Sequence, residues 1–228
     1  MTIRAVVFDL DGTLVKYKID YKTMRAETKQ ILVREGLPAS IFSLDEGTFT
    51  MLEKAQVYLK NNGKPAAEIA KVRATVFKLA ERYELEAART TELQPGVTEA
   101  LKALKKMSLK LGLFTLNCTT VTQYILKQLQ LTDFFEAVIT RNCVETLKPA
   151  PEHLGTVLKK LNVKPEETLI VGDGASDMQS AQELGAIGVG VPMGVATPAA
   201  LTGAGATCLI TSLIDLPTLI GEYNKEKV

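Results

Sequence analysis

Six short apolar runs recur along the chain, separated by longer stretches of helical spacing. Residues 3–8 (IRAVVF), 109–114 (LKLGLF), 137–140 (AVIT), 168–172 (TLIVG), 186–191 (AIGVGV) and 207–210 (TCLI) are the runs. They are short and mostly unbroken by polar residues. This predicts strands covered on both faces, and so a mostly parallel sheet. Between them, helical spacing covers residues 97–106, 120–130, 151–161 and 176–184, and Gly185 stands where a helix C-cap glycine belongs. The alternation predicts right-handed crossovers and a doubly wound, Rossmann-like α/β sheet.

One interval breaks the alternation. Residues 16–93 carry no convincing strand. Ala66, Ala67, Ile69 and Ala70, then Val72, Val76, Leu79, Ala80 and Tyr83, recur at helical spacing, and Gly36, Pro38, Asn61, Asn62, Gly63 and Pro65 are the punctuation. A long crossover is the plainer alternative, but several helices exceed what a crossover needs. The expected division is therefore an α/β core over 1–15 and 94–228, with a helical cap over 16–93 inserted after the first strand. The charged tail, 223–228, is expected to fray.

Composition narrows the function classes. The 27 Lys and Arg nearly balance 26 Asp and Glu, for a net charge of +1. No single-sign field favours nucleic acid or an anionic membrane as partner, while a small anionic substrate needs only a local cation or two. The early apolar run is interrupted by Asp9 and Asp11 and is too short for a span or a signal segment. Cys118, Cys143 and Cys208 are odd in number and widely spaced, which fits neither a disulfide framework nor a zinc pattern. Each is expected to be a small buried apolar residue in a reduced, cytoplasmic compartment. His153 is the only histidine, so a histidine-based metal site or a Cys/His dyad has little support.

In open α/β sheets, ligands bind beyond the carboxyl ends of the strands. This sequence delivers Asp9-Leu10-Asp11-Gly12-Thr13 there from the first strand and Thr115-Leu116-Asn117 from the second. Lys148-Pro149 follows the third, and Gly172-Asp173-Gly174-Ala175-Ser176-Asp177 leaves the fourth. Two carboxylates at about 4 Å repel by about 4 kcal/mol at an effective dielectric near ~20, so Asp9 and Asp11 call for a cation or a shared proton. An acidic turn is the bland alternative. Asp173 and Asp177 form a second pair on the same rim, though Asp177 is equally suited to capping the helix that starts there. Acids converging without other ligand types favour Mg2+ over zinc.

Lys148 in isolation reads as a solvated surface lysine, but Pro149 and Pro151 stiffen its segment. Thr115 is either the last residue of a strand or a hydroxyl donor to phosphate oxygens. A nucleotide P-loop is absent, Gly172-Asp173-Gly174 and Gly188-Val189-Gly190 lack the spacing of a dinucleotide turn, and no G-x-S-x-G elbow occurs.

The four segments, in this order, resemble the motifs of the haloacid dehalogenase superfamily, on its phosphatase side. Residues 93–97 (LQPGV), 148–151 (KPAP) and 181–186 (AQELGA) are also similar to that family, and the helical interval falls where the family's cap lies. The likeness extends in a general way to phosphoglycolate-phosphatase-like members.

The resemblance implies phosphate-monoester hydrolysis in two steps. Asp9 is the expected nucleophile and Asp11 the general acid and base. Mg2+ is expected at Asp9, Asp11 (through its backbone carbonyl), Asp173 and Asp177, with Asp177 orienting the coordinated waters. Lys148, as a further catalytic residue, and Thr115 are expected to neutralise phosphoryl oxygens, and Asn117 is expected to bind phosphate with them and to shape that loop. The expected partner is a small phosphorylated metabolite, and the enzyme a monomer or homodimer. Cap residues in the basic stretch 16–22 or near Arg25 are the expected substrate contacts.

A phosphomutase uses the same core and differs in whether the cap admits water. A phosphonate hydrolase would need an imine-forming cap lysine, and neither Lys54 nor Lys60 carries such a signal. A signalling receiver domain also gathers acids, a Thr and a Lys, but its phospho-acceptor lies on an internal strand and it has no cap. A silent phosphate-binding protein is disfavoured because all the charged motif residues are present.

Overall fold

A computed structural model describes residues 2–16, 18–194 and 196–225. Its elements run β1 (Ala5–Phe8), α1 (Tyr21–Arg34), α2 (Thr48–Asn61), α3 (Ala66–Ala88), α4 (Val97–Lys106), β2 (Lys110–Thr115), α5 (Thr119–Gln128), β3 (Ala137–Thr140), α6 (Pro151–Leu161), β4 (Thr168–Gly172), α7 (Ala175–Leu184), β5 (Ile187–Gly190), α8 (Pro198–Gly203), β6 (Cys208–Leu209) and α9 (Leu216–Lys225). The chain divides into two compact units, Met1–Tyr17 with Thr91–Val228, and Lys18–Thr90.

The first unit holds one six-stranded sheet in the order β3-β2-β1-β4-β5-β6, with every pairing parallel. The order reverses between β1 and β4, and that switch point is where a doubly wound sheet opens a crevice. β1 is buried throughout, as a strand with cover on both faces must be. Ala5, Val7 and Ile170 pack into a cluster with Leu154, Val157 and Leu158 of α6 and Ala181 of α7. Side-chain alternation sends Val6 and Phe8 to the opposite face, where both are fully buried. Burying a side chain of this size contributes roughly 1.5–3 kcal/mol, so the paired clusters fix the register that aligns the strand ends.

β1 begins two residues later than its apolar run. The Ile3 N–H donates to Asn224 Oδ1 on α9 instead of entering the ladder. α9 extends to Lys225, so the expected fraying does not apply over residues 223–225; residues 226–228 lie outside the described chain. α7 ends on Gly185, as its spacing predicts.

The chain leaves and re-enters this unit through a short paired segment. Lys16 N–H donates to Glu92 O at 2.8 Å and Gln94 N–H to Leu14 O at 2.9 Å. Lys16 Nζ meets Glu92 Oε2 at 2.6 Å across the same junction. Tyr17, in the basic stretch 16–22, lies outside the described residues.

The second unit is three helices, α1 to α3. They share a core of Leu32, Met51, Leu52, Ala55, Leu59, Val72 and Val76, extended by Met24 and Ala80. The two apolar clusters predicted over 66–83 are successive turns of the single helix α3, 23 residues long. No helix among the described residues is long and apolar enough to cross a membrane. Of the cysteines, Cys118 is buried, Cys208 half-buried and Cys143 exposed, so the expectation of burial fails at Cys143.

Candidate active site

The parallel register sets the ends of β1, β2 and β4 side by side. Phe8 pairs with Leu113 on one side and Val171 on the other, so Asp9 and Asp173 emerge next to each other at the switch point. Asp9, Asp173 and Asp177 are all buried, and one carboxylate oxygen from each lies within 4.8 Å of the others. Lys148, from the loop after β3, enters the same cluster. Its Nζ donates to Asp9 Oδ1 at 2.5 Å and to Asp177 Oδ1 at 2.7 Å. The ammonium also stands 4.4 Å from the centre of the Phe114 ring, on an aromatic face that attracts it.

Burial pushes the Asp9 carboxyl well above its usual range; the Lys148 ammonium opposes this, while Asp177 and Asp173 reinforce it. Burial also disfavours the Lys148 charge, but Asp177 and Asp9 outweigh it and hold the ammonium above its ordinary range. Lys148 pairs with Asp9 and Asp177, and the Asp173 carboxylate stands beside them in the same buried site. The donor set is all oxygen, and a hard divalent cation such as Mg2+ fits both its charge and its chemistry.

Asp173 is fixed from two sides. Thr13 Oγ1 donates to its Oδ1 at 3.0 Å. Gly12 and Gly194 press their backbones against the other oxygen, and a Cβ at either position would collide with Asp173 Oδ2. Gly12 also adopts a φ of 85°, a left-handed conformation that glycine supplies without strain. Asp177 combines two roles that sequence reasoning held as alternatives. Its Oδ2 accepts the Gly174 N–H at 3.0 Å, capping α7, while its Oδ1 receives Lys148.

Asp11 lies apart from the carboxylate triad. Its Oδ2 accepts from Asn117 Nδ2 at 2.6 Å. Asn117 N–H in turn donates to Thr115 Oγ1 at 3.1 Å. Thr115 is the last residue of β2, level with Thr140 of β3. The structure thus joins Asp11, Asn117 and Thr115 in one chain of hydrogen bonds, and Asp9, Lys148 and Asp177 in another, with the Asp173 carboxylate beside it. Arg141, fully buried, holds the loop between these groups by donating to Leu116 O at 2.8 Å and, through its backbone, to Asn117 O at 3.3 Å.

Sequence reasoning assigned no role to Gly194, Arg141 or His153. Gly194 and Arg141 carry no local signal, since their contacts lie with residues distant in sequence. His153 carries one: it is a histidine five residues after Lys148 in the first turn of α6, on a face that is otherwise apolar.

A doubly wound α/β core with buried carboxylates and an ammonium at its switch point is the architecture of an enzyme. The chain belongs to the haloacid dehalogenase-like hydrolases, whose family model matches residues 6–191. It is similar to the phosphoglycolate phosphatase of Salmonella choleraesuis (strain SC-B67), at 33% identity over 84% of this chain and 82% of that protein. Among solved structures, a hydrolase from Pseudomonas syringae matches with a TM-score of 0.65 and 25% identity, over 96% of this chain and 98% of that one. A candidate beta-phosphoglucomutase from Thermotoga maritima matches with a TM-score of 0.61 and 24% identity, over 96% and 99% of the two chains, and shares the fold.

Proposed function

We propose that the chain hydrolyses a small phosphate monoester through an aspartyl-phosphate on Asp9, with 2-phosphoglycolate the first substrate to test. The observation that carries this reading is the pairing of Asp9 with Lys148 inside the acid cluster, while Asp11, two residues on, is held outside it by Asn117. A nucleophile needs a neighbouring cation for the phosphoryl charge, and an acid needs to stand clear of the metal ligands.

In the first step, Asp9 attacks phosphorus, the phosphorus–ester oxygen bond breaks, and Asp11 gives its proton to the leaving oxygen. In the second, water attacks phosphorus, Asp11 takes the water's proton, and the bond to Asp9 breaks to release phosphate. Lys148 and the Thr115 hydroxyl meet the charge on the transferring oxygens. Bound Mg2+, held by Asp9, Asp173 and the Asp11 backbone carbonyl with Asp177 orienting its waters, would supply further charge neutralisation. The helical unit between β1 and β2, taken as residues 16–93, serves as the cap. The free thiols suit a cytoplasmic enzyme, working as a monomer or homodimer.

A panel of phosphorylated metabolites with Mg2+, read for free phosphate, tests the reading. Release of phosphate from phosphoglycolate or a related small ester supports it. Conversion of a sugar phosphate into its isomer, without free phosphate, would assign a mutase. No turnover of any ester would sink both.

A further inference from the structure

His153 is fully buried on α6, against Ile139 of β3 and edge-on to Phe114, where an aliphatic side chain would pack at lower cost. Its polar atoms are both engaged. The Lys148 backbone N–H lies 3.4 Å from His153 Nδ1, and His153 Nε2 lies 3.2 Å from Ile139 O. An amide N–H only donates and a carbonyl only accepts. The ring is therefore neutral, with its hydrogen on Nε2 and a lone pair on Nδ1. A second route joins the same residues. The His153 ring packs edge-on against Phe114 at 5.8 Å, and the face of Phe114 carries the Lys148 ammonium.

We infer that His153 is a positioning residue for Lys148: it anchors the lysine's backbone to β3 and backs the aromatic ring beneath its ammonium, setting where the charge enters the carboxylate cluster. The next residue back reinforces the arrangement. Glu152 accepts from Glu145 N–H at 3.1 Å and Thr146 N–H at 2.8 Å, so the first turn of α6 grips the lysine loop at two places. Burial, and then the neighbouring Lys148 charge, pull the His153 pKa down to about 4, which keeps Nδ1 an acceptor at neutral pH. The inference rests on the phosphatase reading for its kinetic consequence and on geometry alone for its structural one.

Three substitutions separate positioning from packing. His153→Leu removes both polar atoms at similar volume. His153→Asn keeps an acceptor near the Nδ1 position, and His153→Gln keeps only a group near Nε2. With an alkyl phosphate, kcat is expected to fall about 10–100-fold in the Leu and Gln variants, the range carried by outer partners of a site group, with KM little changed. His153→Asn should recover most of that loss. In a Lys148→Ala background, assayed with an activated aryl phosphate, His153→Leu should add less than about twofold, because a residue acting through the lysine has nothing left to position.

Full activity in His153→Leu, an equal loss in the Lys148→Ala background, or Asn and Gln variants that fall together in step with their melting temperatures would each overturn the inference. If the wild-type enzyme turns over no phosphate ester, the phosphatase reading fails and the crystal structure of His153→Gln still decides this one. Lys148 Nζ displaced from Asp9 and Asp177 supports it, and both contacts kept within about 3 Å overturn it.

Discussion

Asn117 Nδ2 donates to Asp11 Oδ2 at 2.6 Å across 106 residues of sequence. The amide thereby holds the carboxyl of the proposed general acid while its own backbone N–H is tied to Thr115. Asn117→Ala should accordingly act through Asp11. Proton donation matters most for a poor leaving group, so an alkyl phosphate should lose about 10²-fold in rate while p-nitrophenyl phosphate loses far less. Rates for the two esters, compared in wild type and variant, test this. Equal losses on both would return Asn117 to the phosphate-binding role that its position after Thr115 implies.

The two acids of the first motif should fail differently. Asp9→Asn should abolish turnover, because an amide cannot form the acyl-phosphate. Asp11→Asn keeps the nucleophile and the buried triad. With an activated aryl phosphate its first step should persist while hydrolysis stalls, so phosphorylated protein accumulates. Hydroxylamine lability and peptide mapping would place the label on Asp9. A label on Thr115, Ser176 or Cys118 would sink the mechanism.

Activity should vanish in excess EDTA and return with Mg2+, since three buried carboxylates converge within 4.8 Å with an all-oxygen donor set. Asp173→Asn should raise the Mg2+ concentration needed for half-maximal rate. Gly194→Ala is the sharper probe, because its new Cβ must displace Asp173 while Thr13 still holds the other carboxylate oxygen. Titrating Mg2+ against activity should show a raised half-maximal Mg2+ concentration in Gly194→Ala. An unchanged curve would mean that Asp173 is not a direct ligand.

Much of the core was legible because its strands are buried on both faces, so that β1 to β5 appear as mostly apolar runs close to their observed bounds. The site was legible for a related reason: Asp9, Thr115 and Asp173 each stand at or just past the end of such a run, where the fold class places ligands. The helical unit was harder. α1 buries only Met24, Thr28 and Leu32 along its 14 residues, too thin a stripe to stand out. α8 has six residues, too few for a period to declare itself. The roles of Asn117, Gly194 and Arg141 depend on partners far off in sequence, and no local spacing signals such contacts. Lys148 carries a sequence signal in its flanking prolines, but its burial between two carboxylates is a property of the fold.

The pH dependence of folding provides the last test. His153 drops from 6.5 to about 4 on folding, chiefly by burial and then by the Lys148 charge, with the Ile139 carbonyl and Glu152 opposing. This is the reverse of a histidine that gains an acidic partner. The unfolded chain takes up a proton as pH falls through 6.5, while the folded chain resists until about 4. Stability should therefore be complete above 6.5 and decline as pH falls toward 4, by a ceiling of about 3 kcal/mol from this one group. Asp20, Glu46 and Glu152 have lowered carboxyl values, so their contributions are lost mainly below the window from pH 7 to 5. Asp9 is raised, and Lys148 is among the groups that set it, so its share is measured separately in Asp9→Asn. Urea midpoints at pH 7, 6 and 5 should fall more steeply in wild type than in His153→Leu. Parallel curves would show that the buried imidazole already carries its proton in the folded state, and the lone pair on Nδ1 that meets the Lys148 N–H would not exist.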